Sequence, residues 1–222
     1  MPRALRLSDK DSYYHVLNRG VSHNPIVFCD TDYNIFIKGL KEVSEKFQID
    51  IFAFCLMTNH FHLAIRTEHA NLSEGIKYLG QTFTQRINKI HGRDGPLFKG
   101  RFKSICVTDE AYLFSLIRYI HLNPVEAGLT ADPSAYRWSS HPFYKNGNHP
   151  SWLKCEKILS SFAINQSAAR YEFEKFIAEG NEKTLASFYR RKNLAPHLNG
   201  DTACRSFETQ VNQLKRADLA PF

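Results

Sequence analysis

The sequence contains no long uncharged apolar run and no charged stretch followed by an apolar one at its start, so neither a membrane span nor a secretory leader is expected. The expectation is a cytoplasmic protein with no membrane partner. Cysteine is scarce as well. The five present, Cys29, Cys55, Cys106, Cys155 and Cys204, are odd in number, widely spaced and never in a Cys-x-x-Cys pair, which argues against a disulfide framework or a thiolate zinc site. Internal repeats and low-complexity tracts are also missing. What is there is ordinary globular material. With 222 residues, 43% hydrophobic and 23% charged, the chain can bury a real core as one domain with an appendage or as two small domains.

The formal net charge is +7 and the isoelectric point about 9.1, compatible with a polyanionic partner. Where the charge sits is more informative. Between residues 86 and 103, Arg86, Lys89, Arg93, Lys99, Arg101 and Lys103 face only Asp94, the composition of a surface that tracks phosphates or of an ordinary solvated face.

Tyr13 to Asn18 is aromatic and β-branched and stops at Arg19-Gly20, which predicts a first strand. Asp30 then caps a helix whose stripe is Tyr33, Phe36, Ile37, Leu40, Val43 and Phe47. The run from Ile49 to Met57, the connection at Thr58-Asn59 and the alternating segment from His60 to Arg66 read as a hairpin. Because strand side chains repeat every two residues, Phe61, Leu63 and Ile65 share the buried face, and His60, His62, Ala64 and Arg66 share the other. Asn71 with Glu74 opens a second helix that reaches Gly92. From Leu97 to Val107 the chain reads as extended, with Lys99, Arg101 and Lys103 opposite Phe98 and Phe102. A third helix from Asp109 buries Leu113, Leu116, Ile117 and Ile120 and is expected to end at Pro124. This order predicts an α+β sandwich, with helices packed on one face of an antiparallel sheet and the other face left for a ligand. Turn-rich residues 128–151 place the end of the main domain near 148. A mainly helical extension is expected over 149–222, including Leu153 to Ile164, Ala168 to Glu179, Lys183 to Lys192 and Cys204 to Lys215.

Two features carry chemistry. His60 and His62, one residue apart on a strand, present both imidazoles to the same side and so form a two-ligand metal candidate, or else a pair of hydrogen-bonded histidines. Tyr119 and Asn123 are one helical turn apart, which sets a phenol beside an amide oxygen. By spacing alone, a tyrosine at such a position is more often an ordinary half-buried one than a nucleophile.

Four blocks in order, Thr58-Asn-His-Phe-His-Leu63, Gly95-Pro-Leu-Phe-Lys-Gly-Arg101, Arg118-Tyr-Ile-His-Leu-Asn-Pro-Val125 and Trp138-Ser-Ser140, resemble the signature set of the REP-associated tyrosine transposases and the wider single-tyrosine HUH transposases (IS200-like). Tyr14-His-Val16 through Asn18-Arg-Gly20 is similar to that family's first strand. The resemblance covers about residues 10–145 and departs from the family at Glu126, where arginine is common. It implies a ferredoxin-like or RRM-like fold, Tyr119 as the catalytic nucleophile, and His60 and His62 as metal ligands with Asn123 as the third. It implies a divalent ion, Mg²⁺ or Mn²⁺. It also implies single-stranded or hairpin DNA as substrate, with Lys99, Arg101, Lys103 and Arg86 as DNA contacts, and a homodimer as the working unit. The reaction implied is nicking and rejoining of DNA through a 5′-phosphotyrosine. Two other readings stay open on the residues alone: a nucleic-acid-binding module that does not cut, and a metal-dependent hydrolase that uses water.

Overall fold

The computed structural model describes residues 10–107, 110–179 and 197–198. The expected helices at Lys183 to Lys192 and Cys204 to Lys215 lie outside the described residues. A four-stranded antiparallel sheet is built in the order β2-β3-β1-β4, from β1 (Ser12–Arg19), β2 (Ile49–Leu56), β3 (His60–Thr67) and β4 (Lys103–Val107). A two-residue strand, β5 (His197–Leu198), lies parallel to β4 at the edge. Helix α1 (Asp30–Phe47) connects β1 to β2, and α2 (Leu72–His91) connects β3 to β4. This is the ferredoxin-like βαββαβ order, with the histidine-bearing strand β3 inside the sheet between β1 and β2.

Helices α1 and α2 bury the face that Phe61, Leu63 and Ile65 offer: Phe36 of α1 packs 5.0 Å from Phe61 and 5.2 Å from Phe83 of α2, ring centroid to centroid. The α1 cap is not Asp30, which is the first helical residue. Cys29 occupies the cap, and Asp32 reaches back to accept from the Phe28 and Cys29 amides, because a carboxylate three residues into a helix meets the otherwise orphaned N–H groups.

The opposite face is also covered, by α3 (Glu110–Glu126), which lies over β2 and β3. That explains why β2 is buried along its whole length. Helix α3 runs through Pro124 and does not end there: a proline in the last turn forfeits only one backbone bond, and the chain closes with Ala127 N donating to Asn123 O and Leu129 N to Pro124 O. Residues 112–124 are buried all round and not on one side only. A third layer made of α4 (His141–Asn146), α5 (Cys155–Leu159) and α6 (Gln166–Ala178) wraps the outer side of α3, with Phe173 at its centre. Past residue 148 the chain stays joined to the sheet: Lys154 N donates to Ile51 O at 2.8 Å, and the Lys157 ammonium meets Asp50 at 2.7 Å.

Ser140 fastens α3 to the sheet. Its hydroxyl accepts from Phe54 N at 2.9 Å and from His121 Nε2 at 2.8 Å, and donates to Phe54 O at 3.2 Å, so the hydroxyl, the Phe54 backbone groups and His121 Nε2 are all paired at this fully buried point. Two of the sequence blocks, Arg118 to Val125 and Trp138 to Ser140, meet here. Arg118 lies over the Phe176 ring at 4.3 Å, which holds the outer face of α3 to α6. Among the described residues, no helix is long and apolar enough to cross a membrane.

Candidate active site

With the outer face of α3 occupied by Arg118 and His121, its inner face turns Tyr119 and Asn123 toward β3. The Tyr119 ring packs edge-on against His62, with centroids 5.4 Å apart, and against His15 of β1 at 6.2 Å. Asn123 Oδ1 lies 3.3 Å from His60 Nε2. The His60 and His62 rings are 5.1 Å apart and nearly perpendicular. The structure thus brings Tyr119, Asn123, His60 and His62 together, and α3 is what closes the face expected to stay open.

Each of the two strand histidines has its Nδ1 engaged. His60 Nδ1 is 2.7 Å from Asn59 Oδ1, and His62 Nδ1 is 2.9 Å from His15 Nε2. Both His60 nitrogens face amide oxygens, which only accept, and the shorter contact, 2.7 Å to Asn59 against 3.3 Å to Asn123, favours the proton on Nδ1, which leaves the Nε2 lone pair facing Asn123 Oδ1. Two acceptors facing one another at 3.3 Å suit a shared cation, and the imidazole and amide donor set fits a divalent ion. Burial holds these rings neutral. It lowers the His15 pKa to about 3 and carries His62 well below the usual imidazole value, with His15 and His60 adding to the effect on His62. For His60, burial lowers the pKa first, the Asn123 bond opposes it, and the His23 and Arg19 charges lower it further.

Arg19 and His23 form the rim of this site. Gly20 N donates to Asn59 O at 2.8 Å, and Asn59 Nδ2 donates to His23 O at 3.2 Å, so the loop after β1 is tied to the β2–β3 turn. The Arg19 guanidinium donates to His23 Nε2 at 2.8 Å. A Cβ on Gly20 would lie 2.0 Å from Asn24 O, so glycine is needed for this close approach and not for an unusual dihedral. The cationic segment runs alongside: Lys99 N donates to Arg19 O, Asn18 Nδ2 donates to Gly100 O, and Lys99, Arg101 and Lys103 are all exposed beside it. Arg86 is elsewhere. It pairs with Glu42 at 3.1 Å in the α1/α2 layer, on the far side of the sheet from the histidines.

His15, Asn59, Arg19 and His23, which also stand at this site, were not singled out in the sequence. The signal for His15 was the fold itself: with β1 beside β3, His15 pairs with Ala64 and sits diagonally from His62. A second trio, Cys29, Asp32 and His91, has ligand atoms within 4.8 Å of one another. These atoms are close enough to share an ion, yet Asp32 is already committed to capping α1 and to holding His91 at the end of α2, both contacts being 2.9 Å. This trio is a clamp between the two helices, remote from Tyr119.

A ferredoxin-like sheet with two strand histidines facing a helix tyrosine and amide defines the class of single-tyrosine transposase domains. The family model described as "Transposase IS200 like" matches residues 8–123, more than half of the 222 residues. The chain belongs to the IS200-like transposase family and is an enzyme acting on DNA. It is similar to a REP-associated tyrosine transposase of Haemophilus influenzae, with 26% identity over 122 residues that cover 50% of this chain and 69% of that protein. It also shares its fold with a solved REP-associated tyrosine transposase bound to a REP hairpin, at a TM-score of 0.56 and 18% identity, covering 68% of this chain and 89% of that one.

Proposed function

We propose that the protein cuts and rejoins single DNA strands at hairpin-flanked sites with Tyr119 as nucleophile. The observation that carries this reading is the convergence of Tyr119, His60, His62 and Asn123 from two elements onto one face of the sheet. The Tyr119 hydroxyl oxygen bonds to phosphorus as the bond to the 3′-oxygen breaks. The phenol proton leaves to solvent, and the departing 3′-oxygen takes up a proton from solvent to become a hydroxyl. The bond energy is conserved in the 5′-phosphotyrosine, so another 3′-hydroxyl can reverse the step without ATP. His60, His62 and Asn123 would hold Mg²⁺ or Mn²⁺, which neutralises charge that grows on the phosphate oxygens. Asn59 fixes the His60 ring. Burial under α3 keeps the histidines neutral, the form a metal requires.

Arg19, with Lys99, Arg101 and Lys103, lines the approach and contacts the DNA backbone. The solved relative's hairpin supports a hairpin substrate for this chain, and two copies cooperate when two strands are handled. Domain roles follow the same reading: residues 1–148 carry the chemistry, and the segment to 178 braces α3 from outside.

The test incubates the protein with labelled single-stranded DNA bearing a hairpin. Cutting is expected with Mn²⁺ and not in EDTA, and not with fully duplex DNA. His60→Ala and His62→Ala should each abolish it. Cutting in EDTA, or by the doubly substituted protein, would show that the metal assignment is wrong.

A further inference from the structure

We propose that His15 is a positioning residue for the metal-binding pair: it accepts the Nδ1 proton of His62 and so fixes the tautomer that leaves the His62 Nε2 lone pair available. This rests on the metal reading above and adds to it a third histidine that the chemistry requires but that touches neither metal nor DNA.

The geometry allows two arrangements of one shared proton. His15 Nε2 and His62 Nδ1 are 2.9 Å apart, so one nitrogen donates and the other accepts. If His15 donated, a neutral His62 would have to carry its own proton on Nε2 and would have no lone pair for a cation there. If His15 accepts, Nε2 is the lone pair. The neighbouring ring is arranged the same way, because the acceptor-only Asn59 oxygen at 2.7 Å is the nearer of its two amide oxygens and favours the Nδ1–H form of His60. His15 and Asn59 are therefore equivalent devices, one for each ligand.

The surroundings make the His15 contact rigid. His15 is fully buried and His62 nearly so, and their rings stack at 5.1 Å and 23°. Tyr119 closes the open edge of both rings, at 78° to His15 and 81° to His62. Neither imidazole can rotate away without displacing the other or the tyrosine. Partners of metal-binding histidines usually alter affinity by roughly 10- to 100-fold when removed, because the ligand then loses its orientation and its favoured tautomer.

The experiment has two arms. Histidine ring ¹⁵N correlations of the metal-free protein should show His62 as the Nδ1–H tautomer. His62 found with its proton on Nε2 would overturn the inference, whatever any variant does. In the second arm, Mn²⁺ binding is measured directly by electron paramagnetic resonance. His15→Phe keeps a stacked ring but offers no acceptor, and its Mn²⁺ affinity should fall about 10- to 100-fold; His15→Gln, which returns an acceptor oxygen, should recover part of it. Equal affinity for the unaltered protein and His15→Phe would overturn the role of His15 and leave the metal site standing. No Mn²⁺ binding by the unaltered protein would overturn both. If His15→Phe does not fold, the tautomer of the unaltered protein decides.

Discussion

Acidification should destabilise the metal-free protein well before its carboxylates titrate. His15 is held neutral to about pH 3, whereas in the unfolded chain it binds a proton near 6.5. Its folded pKa is depressed, so its contribution to stability is complete above pH 6.5 and is lost as pH falls toward 3, the range in which the unfolded state binds more protons. At pH 5 the gap from 6.5 is one and a half pH units, worth about 2 kcal/mol from this residue alone. His62 and His121, both buried and both lowered, act in the same direction. Glu174 opposes them, since burial raises its pKa and favours protonation in the folded state. Against a total stability of about 5–15 kcal/mol, the loss is large. Urea unfolding in EDTA at pH 7.5, 6 and 5 should show the midpoint falling by about 1 M or more between the extremes, for a slope of about 2 kcal/mol per molar. A midpoint that stays constant or rises toward pH 5 would refute the claim that these rings are buried and neutral.

Ser140→Ala should lower stability by about 2–4 kcal/mol in urea unfolding, because it strands the buried Phe54 N–H and the His121 ring nitrogen. Gly20→Ala, which sets a methyl against Asn24 O, should cost about 1–3 kcal/mol and weaken DNA binding by moving Arg19 and His23; unchanged binding and stability would show the loop to be slack. Arg19→Ala should weaken single-stranded DNA binding equally across sequences and reduce the salt dependence by about one phosphate contact, while Arg86→Ala leaves both unchanged. Salt titrations of the two variants distinguish a rim contact from an arginine committed to Glu42.

Period and punctuation were enough to find the order of strands and helices along the chain and the helices on one face, while the ferredoxin-like arrangement of the strands was implied by the family resemblance. The alternation from His60 to Arg66 told which residues share a face, and Tyr119 and Asn123 were separated by one helical turn. What covers the histidine face was not legible. The polar residues of α3, Arg118, His121 and Asn123, disguise a helix that is buried all round, since their partners Phe176, Ser140 and His60 come from distant parts of the chain. The reach of α3 past Pro124 depends likewise on tertiary packing, which overrides the local cost of proline. Arg86 shows how little charge alone says of place. Its charge marked it as a DNA contact, and only the neighbouring helix reveals Glu42 as its partner.

The central claim, that Tyr119 is the group that takes the DNA strand, is tested most directly by locating the covalent bond. After incubation with Mn²⁺ and hairpin-bearing single-stranded DNA, the denatured protein is digested with protease and nuclease and its peptides are weighed. A phosphodeoxynucleotide is expected on the peptide containing Tyr119, and none from Tyr119→Phe. An adduct on another residue, or cut DNA ending in a free 5′-phosphate with no adduct at all, would contradict it.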